Sequence, residues 1–212
     1  MDKTEFAELS LAEFAEQTDS AAPIPGGGGA AAYTGALGMA LVNMVGRLTL
    51  GKPKYADAQD EIKTMLAAGE DIRSFLLAAV QADAEAFLPL SAAYALPAAT
   101  EEEKKAKAAE LSACSLRAAE VPLSAMEQAL AGLKLARRMA QIGSRLVISD
   151  AGCGAALLLA AVKSFAFTAK INLGAIADKE YAARAEEGLG RIMLQAAGLE
   201  ADARRIADER LL

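Results

Sequence analysis

The segment Pro23-Ile24-Pro25-Gly26-Gly27-Gly28-Gly29, followed at once by an alanine-rich apolar run, constrains this chain more than any other. Two prolines stiffen the approach, and four glycines leave a backbone that no Cβ obstructs. The apolar run reads as a helix from about Gly28 to Leu50, with Gly51 placed to end it. Ala31, Ala32, Gly35 and Gly38 make this helix thin, so neighbouring helices can approach its backbone closely. The glycines then fall at a helix N-terminus, where unbonded N–H groups meet the positive end of the helix dipole. Such a terminus suits an anion or the close approach of a ligand. Four consecutive glycines cost conformational entropy and bring nothing to a core, so the segment predicts a ligand site.

The rest of the chain is read as helix as well. Ser10 and Glu13 form a capping box for a short helix ending near Thr18. Pro53 is placed to start a third helix. There Ile62, Leu66, Gly69, Ile72, Leu76, Val80, Asp83, Phe87, Leu90 and Tyr94 recur at steps of three and four. Pro89 should kink it, and Leu96-Pro97 ends it. Thr100 and Glu103 form a second capping box, opening a long helix to about Ile142 with a kink at Pro122. Gly143-Ser144 reads as a turn. A buried helix follows from about Val147 to Leu173, and Asp178 caps a last, more polar one. Six helices with short connections predict an all-α, up-and-down bundle of long helices, taken as one domain over residues 1–212. The second helix is apolar nearly all round, which predicts cover on more than one side and a homodimer.

Composition excludes several kinds of function. Aromatic residues make up only 5% of the 212 residues, too few for a β-sandwich or barrel. The formal net charge is −6, with no basic tract, so nucleic acid is not an expected partner. Histidine is absent, which removes Ser-His-Asp and Cys-His catalysis and the commonest metal ligand. No metal site is expected. Cys114 and Cys153 form no CxxC motif and read as two buried thiols. The acidic N-terminus does not resemble a signal peptide. The apolar runs Ala30–Gly46 and Ala155–Val162 read as buried soluble helices, so the expected location is cytoplasmic, away from a membrane.

Chemistry must therefore come from carboxylates, lysine, arginine, tyrosine or backbone. Asp83 sits on the apolar stripe between Val80 and Phe87, facing inward as either a functional carboxylate or a buried helix–helix contact. Asp150 and Asn172 are polar positions at the two ends of another stripe, Val147, Asp150, Gly154, Leu157, Ala161, Phe165, Thr168 and Asn172. Asp150 can instead complement the helix dipole, and Ser149 can share a capping role. Lys52, Lys54 and Tyr55 crowd one tight connection at one end of the bundle. Lys163, Phe167 and Lys170 share a helical face. Glu101-Glu102-Glu103-Lys104-Lys105 reads as a solvated, self-paired surface.

Taken in order, these motifs resemble the cyclodeaminase/cyclohydrolase family, which includes the cyclodeaminase domain of formiminotransferase-cyclodeaminase and bacterial methenyltetrahydrofolate cyclohydrolases. The resemblance is carried by Pro23–Gly28 with Gly35-Ala36-Leu37-Gly38, by Leu48-Thr49-Leu50-Gly51-Lys52 with Lys54-Tyr55, and by Asp83-Ala84-Glu85-Ala86-Phe87. Glu120-Val121-Pro122-Leu123, Ser149-Asp150-Ala151-Gly152 and Lys170-Ile171-Asn172-Leu173 complete it. The chain departs from the family pattern at Gly29, where serine is usual, at Leu88, where asparagine is frequent, and at Lys170, where arginine is usual. Gly143-Ser144-Arg145 replaces an Asn-Pro-Asn-like turn.

The resemblance implies an all-helical homodimer with a folate site near the subunit interface. It implies conversion of 5-formiminotetrahydrofolate to 5,10-methenyltetrahydrofolate and ammonia. The alternatives are hydrolysis of the methenyl form to 10-formyltetrahydrofolate, or a catalytically idle folate-binding module of the same fold. A reduced folate, polyglutamylated forms included, is then the substrate, with no tightly bound cofactor. Asp83, Asp150 and Lys52 are the expected catalytic groups. Gly26, Gly27, Gly28, Gly29, Tyr55, Ser149, Lys170 and Asn172 are the expected substrate contacts.

Overall fold

The protein is represented by a computed structural model that describes residues 5–211. The first four residues, on which the reading of the N-terminus partly rests, lie outside that range. The chain forms helices α1 (Leu11–Thr18), α2 (Gly27–Thr49), α3 (Gln59–Tyr94), α4 (Glu101–Ile142), α5 (Ile148–Gly174) and α6 (Lys179–Leu211). Among the described residues there is no strand.

Local signals set most of the boundaries. Ser10 accepts a hydrogen bond from the Glu13 N–H, and the Glu13 carboxylate reaches back to the Ser10 N–H, closing the first capping box. Thr100 and Glu103 do the same for α4. Asp178 accepts from the Tyr181 N–H at 2.9 Å and starts α6. Gly51 ends α2 with φ at +75°, a backbone conformation that costs any other residue steric strain. Lys104 pairs with Glu101 at 2.7 Å on an exposed surface, as the charge run predicts.

Three readings need correction. Pro53 opens a 3-10 segment, Pro53–Ala58, rather than the third helix itself; Tyr55 has non-helical dihedrals inside it, so α3 starts at Gln59. Ser149 caps nothing, because α5 begins one residue earlier, at Ile148, and its N-cap is Val147. Cys114 is buried, but Cys153 is exposed.

Helices α2, α3, α4 and α5 form an antiparallel ring, each packed on the next, and α6 lies in the outer groove of α4 and α5. The core between them includes Met39, Leu76, Met126, Leu133, Leu158 and Phe165, all fully buried. Side chains of this size each stabilise the fold by about 1.5–3 kcal/mol when buried. Alanine adds little area, so the alanine-rich helices gain contact by coming close instead. The approach is closest between α2 and α5. A Cβ at Gly38 would lie 2.8 Å from the Gly154 carbonyl oxygen, and one at Gly154 would lie 2.7 Å from that of Gly38. The reciprocal crossing fixes α2 antiparallel to α5, with Gly27 beside Thr168 and Gly38 beside Leu158.

By length and composition α2, α5 and the stretch Pro53–Tyr94 could each cross a membrane. In the fold, most of the α2 window is buried, but only 39% of the α5 window is. Leu37, Met44 and Leu48 of α2 and Phe167 and Ile171 of α5 all stay exposed, the last two at 77% and 74%.

Candidate active site

The glycine segment meets α3 at the end of the bundle where α2 begins. Gly26 is the N-cap of α2 and has no side chain with which to cap it. The first-turn amides therefore lack the usual Ser, Thr or Asp acceptor. Asp83, reaching over from α3, supplies one: its carboxylate accepts a hydrogen bond from the Gly29 N–H. The anion at this helix terminus is thus one of the protein's own side chains. Gly28 makes room for it, since a Cβ there would overlap the Asp83 carboxylate. Gly29 is less constrained. A Cβ at that position would meet Pro25 at 3.5 Å and Val80 at 3.6 Å, which is ordinary van der Waals contact.

Asp83 faces a cavity of about 230 Å³ lined by Pro23, Ile24, Gly26, Gly27, Gly28, Asp83, Phe87, Ala118, Thr168, Ile171 and Asn172. Burial pushes the Asp83 carboxyl above its ordinary value of 3.8, and the Gly29 hydrogen bond opposes the shift only in part. The shift makes the carboxyl a better proton acceptor than an exposed aspartate, as a general base requires. Asn172 joins the cavity from α5 and donates its Nδ2 to the Ala118 carbonyl of α4 at 3.0 Å. Sequence reading missed Phe87, Thr168 and Ile171 as lining residues. Phe87 lies one helical turn from Asp83 and Thr168 one turn from Asn172, which was the available signal for those two; Ile171 is the chain neighbour of Asn172.

Of the expected site residues, the structure brings Gly26, Gly27, Gly28, Gly29, Asp83 and Asn172 together. Lys170 lies on the same end of α5 but is exposed and does not line the cavity. Lys52, Tyr55, Ser149 and Asp150 are at the opposite end. Eighteen residues of α5 separate Asp150 from Thr168, about 27 Å at 1.5 Å per residue. Within one chain, then, Lys52 and Asp150 are not partners of Asp83. Lys52 belongs to a second polar cluster, in which Lys52 Nζ donates to Ser144 Oγ at 2.9 Å and the Tyr55 hydroxyl accepts from the Arg145 N–H at 3.0 Å, while Asp150 lies in the first turn of α5. That backbone hydrogen bond holds the Tyr55 hydroxyl below the usual phenol range. Lys54, Tyr55, Arg145, Glu209 and Arg210 line an open hollow of about 330 Å³ beside it. Among the described residues no group of three or more Cys, Asp or Glu is placed to hold a metal ion.

Residues 10–190 match the formiminotransferase-cyclodeaminase family. A methenyltetrahydrofolate cyclohydrolase of Methylorubrum extorquens is 36% identical over 190 residues, covering 90% of this chain and 91% of that protein. The formimidoyltransferase-cyclodeaminase of Rattus norvegicus is 28% identical over 189 residues, which span 35% of its length. A crystal structure of formiminotetrahydrofolate cyclodeaminase from Thermotoga maritima superposes with a TM-score of 0.86 at 26% identity, covering 97% of this chain and 98% of that one.

Proposed function

The chain belongs to the formiminotransferase-cyclodeaminase family of folate one-carbon enzymes, and from that premise we propose that it acts on the carbon joining N5 and N10 of a reduced folate. The reading is carried by Asp83, a carboxyl of raised pKa set between helix-terminal amides and the cavity. In 5,10-methenyltetrahydrofolate the bridging carbon is electrophilic and cationic. The Asp83 carboxylate attracts that charge and takes a proton from the attacking water. Returning the proton to N5 lets the N5–carbon bond break, and the hydroxyl of the adduct releases its proton to solvent as the C=O forms, leaving the formyl group on N10. The relative of matching length at 36% identity bears the name of this hydrolysis and favours it.

Cyclodeamination of 5-formiminotetrahydrofolate is the second reading, favoured by the likeness to the Thermotoga maritima cyclodeaminase along the whole chain. It uses the same groups. N10 attacks the carbon of the protonated formimino group, Asp83 takes the N10 proton and passes it to the resulting amino group, which leaves as ammonia. Holding N10 against the carbon supplies much of the rate, because ring closure is intramolecular.

The cavity is smaller than the roughly 300–1,000 Å³ typical of sites for ligands of this size, so it takes only part of a folate. The rest must run over the outer face, where α2 and α5 expose Leu37, Met44, Leu48, Phe167 and Ile171. A second copy related by a twofold axis lying in that face, perpendicular to α2 and α5, buries these side chains. Because that axis exchanges the two ends of the bundle, it brings Lys52 and Asp150 of the partner subunit to the Asp83 cavity. The composite site then holds carboxylates and a lysine together, with Tyr55, Ser149 and Lys170 at its rim and cations for a glutamate tail.

The pure protein is mixed separately with 5,10-methenyltetrahydrofolate and 5-formiminotetrahydrofolate, and methenyl absorbance and ammonia are followed. Accelerated loss of the methenyl band identifies the hydrolase. Methenyl and ammonia appearing together identify the cyclodeaminase. Turnover of neither overturns the proposal, and saturable binding without turnover would mark an idle module.

A further inference from the structure

Asn172 is held by a gap in the hydrogen bonding of another helix. Pro122 lies inside α4 and has no N–H. The carbonyl it would have bonded, four residues earlier, is that of Ala118. This oxygen receives Asn172 Nδ2 at 3.0 Å instead, across 54 residues of sequence. Ala118 and Asn172 both line the Asp83 cavity.

A carbonyl oxygen only accepts, so the contact with Ala118 settles which way round the Asn172 amide lies. The NH₂ group must face α4, and Oδ1 is turned away from it. Among the described residues no protein donor reaches Oδ1, and that atom is not a buried, unpartnered one. A side chain free to flip would present a donor or an acceptor to the cavity. Clamped by Ala118, it holds Oδ1 in one direction, with one N–H of its amide spent on α4.

We propose that Pro122 is a positioning residue: by vacating the Ala118 carbonyl it locks the Asn172 amide so that Oδ1 reads an N–H donor on the ligand. This inference rests on the folate reading of the cavity, where the ring amide and amino groups of a pterin are the donors in question. The glycine amides offer the cavity donors, Asp83 offers a carboxyl, and Asn172 adds a neutral acceptor of fixed direction. Pro122 touches neither the reacting atoms nor the ligand and acts through Asn172.

Binding of 5-formyltetrahydrofolate by calorimetry, with wild type, Pro122→Ala, Asn172→Ala, Asn172→Asp and the Pro122→Ala/Asn172→Ala double variant, tests it. Pro122→Ala returns an N–H to the Ala118 carbonyl and releases Asn172. It should weaken binding about tenfold, the size of one lost hydrogen bond, while kcat changes less than about threefold. Asn172→Asp keeps the shape but cannot donate to Ala118, and should weaken binding at least as much. In the Asn172→Ala background, Pro122→Ala should change nothing further. Equal effects of Pro122→Ala in both backgrounds would show that the proline acts only by shaping α4 and would overturn the proposal.

A second readout needs no ligand. In the ¹H–¹⁵N spectrum of the free protein the Asn172 side-chain NH₂ should exchange slowly with solvent, and Pro122→Ala should make it exchange as an exposed amide does. Unchanged exchange would refute the clamp. Absent folate binding by wild type, with the protected NH₂ intact, would refute the folate reading and leave the clamp standing.

Discussion

The end of the bundle where α2 begins and the end where it stops are built from opposite materials. At the first, glycine amides, a carboxyl of raised pKa and an oriented amide surround a small apolar cavity. At the second, Lys54, Tyr55, Arg145, Glu209 and Arg210 line a wide hollow, Lys52 binds Ser144 beside it, and Asp150 sits in the first turn of α5. The first end is suited to moving a proton, because enclosure shifts the carboxyl toward neutrality. The second is suited to attracting a negatively charged ligand, because its cations remain near solvent. Neither end alone holds both functions, and about 27 Å of helix keeps them apart in one chain.

The comparison breaks most sharply at Asp83. Asp83→Asn should lower kcat by about 10²–10⁴-fold, the usual worth of a positioned general acid–base. The same change should raise thermal stability at neutral pH. The folded-state pKa of Asp83 is raised, so its contribution is fully present below the ordinary value of 3.8 and is lost as pH climbs through the shifted value. The Tm difference between Asp83→Asn and wild type should therefore widen across that interval in a pH series. A variant less stable than wild type at pH 7 would contradict this account of burial.

Gly28→Ala comes next. Its methyl group would displace the Asp83 carboxylate, with a loss of activity of about 10²-fold and a stability cost of about 1–3 kcal/mol, measured by kinetics and urea unfolding. At the other end, Lys52→Met should raise KM and lower turnover by about tenfold, since it removes a charge without disturbing Asp83. Steady-state kinetics on both folates check it, and unchanged constants would confine function to the Gly27 end. Gly29→Ser should do least. The space at Gly29 admits a side chain, so kcat and KM should stay within about threefold of wild type. Serine here would be the family's usual residue, and a large loss would mean that the glycine has taken on a role of its own.

The helices were legible because each boundary carries its own signal: Ser10 with Glu13, Thr100 with Glu103, Gly51, and Asp178. Asp83 was legible as an inward carboxylate because it interrupts an apolar stripe. The purpose of the glycines was half legible. Helical periodicity puts them at a terminus, but nothing local says that the anion they receive is Asp83, 55 residues away from Gly28. The grouping of Asp83 with Lys52 and Asp150 failed within one chain for a related reason. A motif list carries no distances, and two long antiparallel helices place motifs adjacent in a list at opposite ends of a bundle. The Pro122–Ala118–Asn172 contact was likewise hidden. Pro122 reads only as a kink until the helix that uses its vacant carbonyl is in place.

Subunit mixing decides whether the two ends work as one site across a twofold axis. Asp83→Asn and Lys52→Met chains, each impaired alone, are unfolded together in equal amounts and refolded. If the site is shared, half of the dimers are mixed and each mixed dimer holds one intact site, so the mixture should recover about a quarter of wild-type turnover. A mixture no more active than the average of its two parents would show that each site is built from one chain.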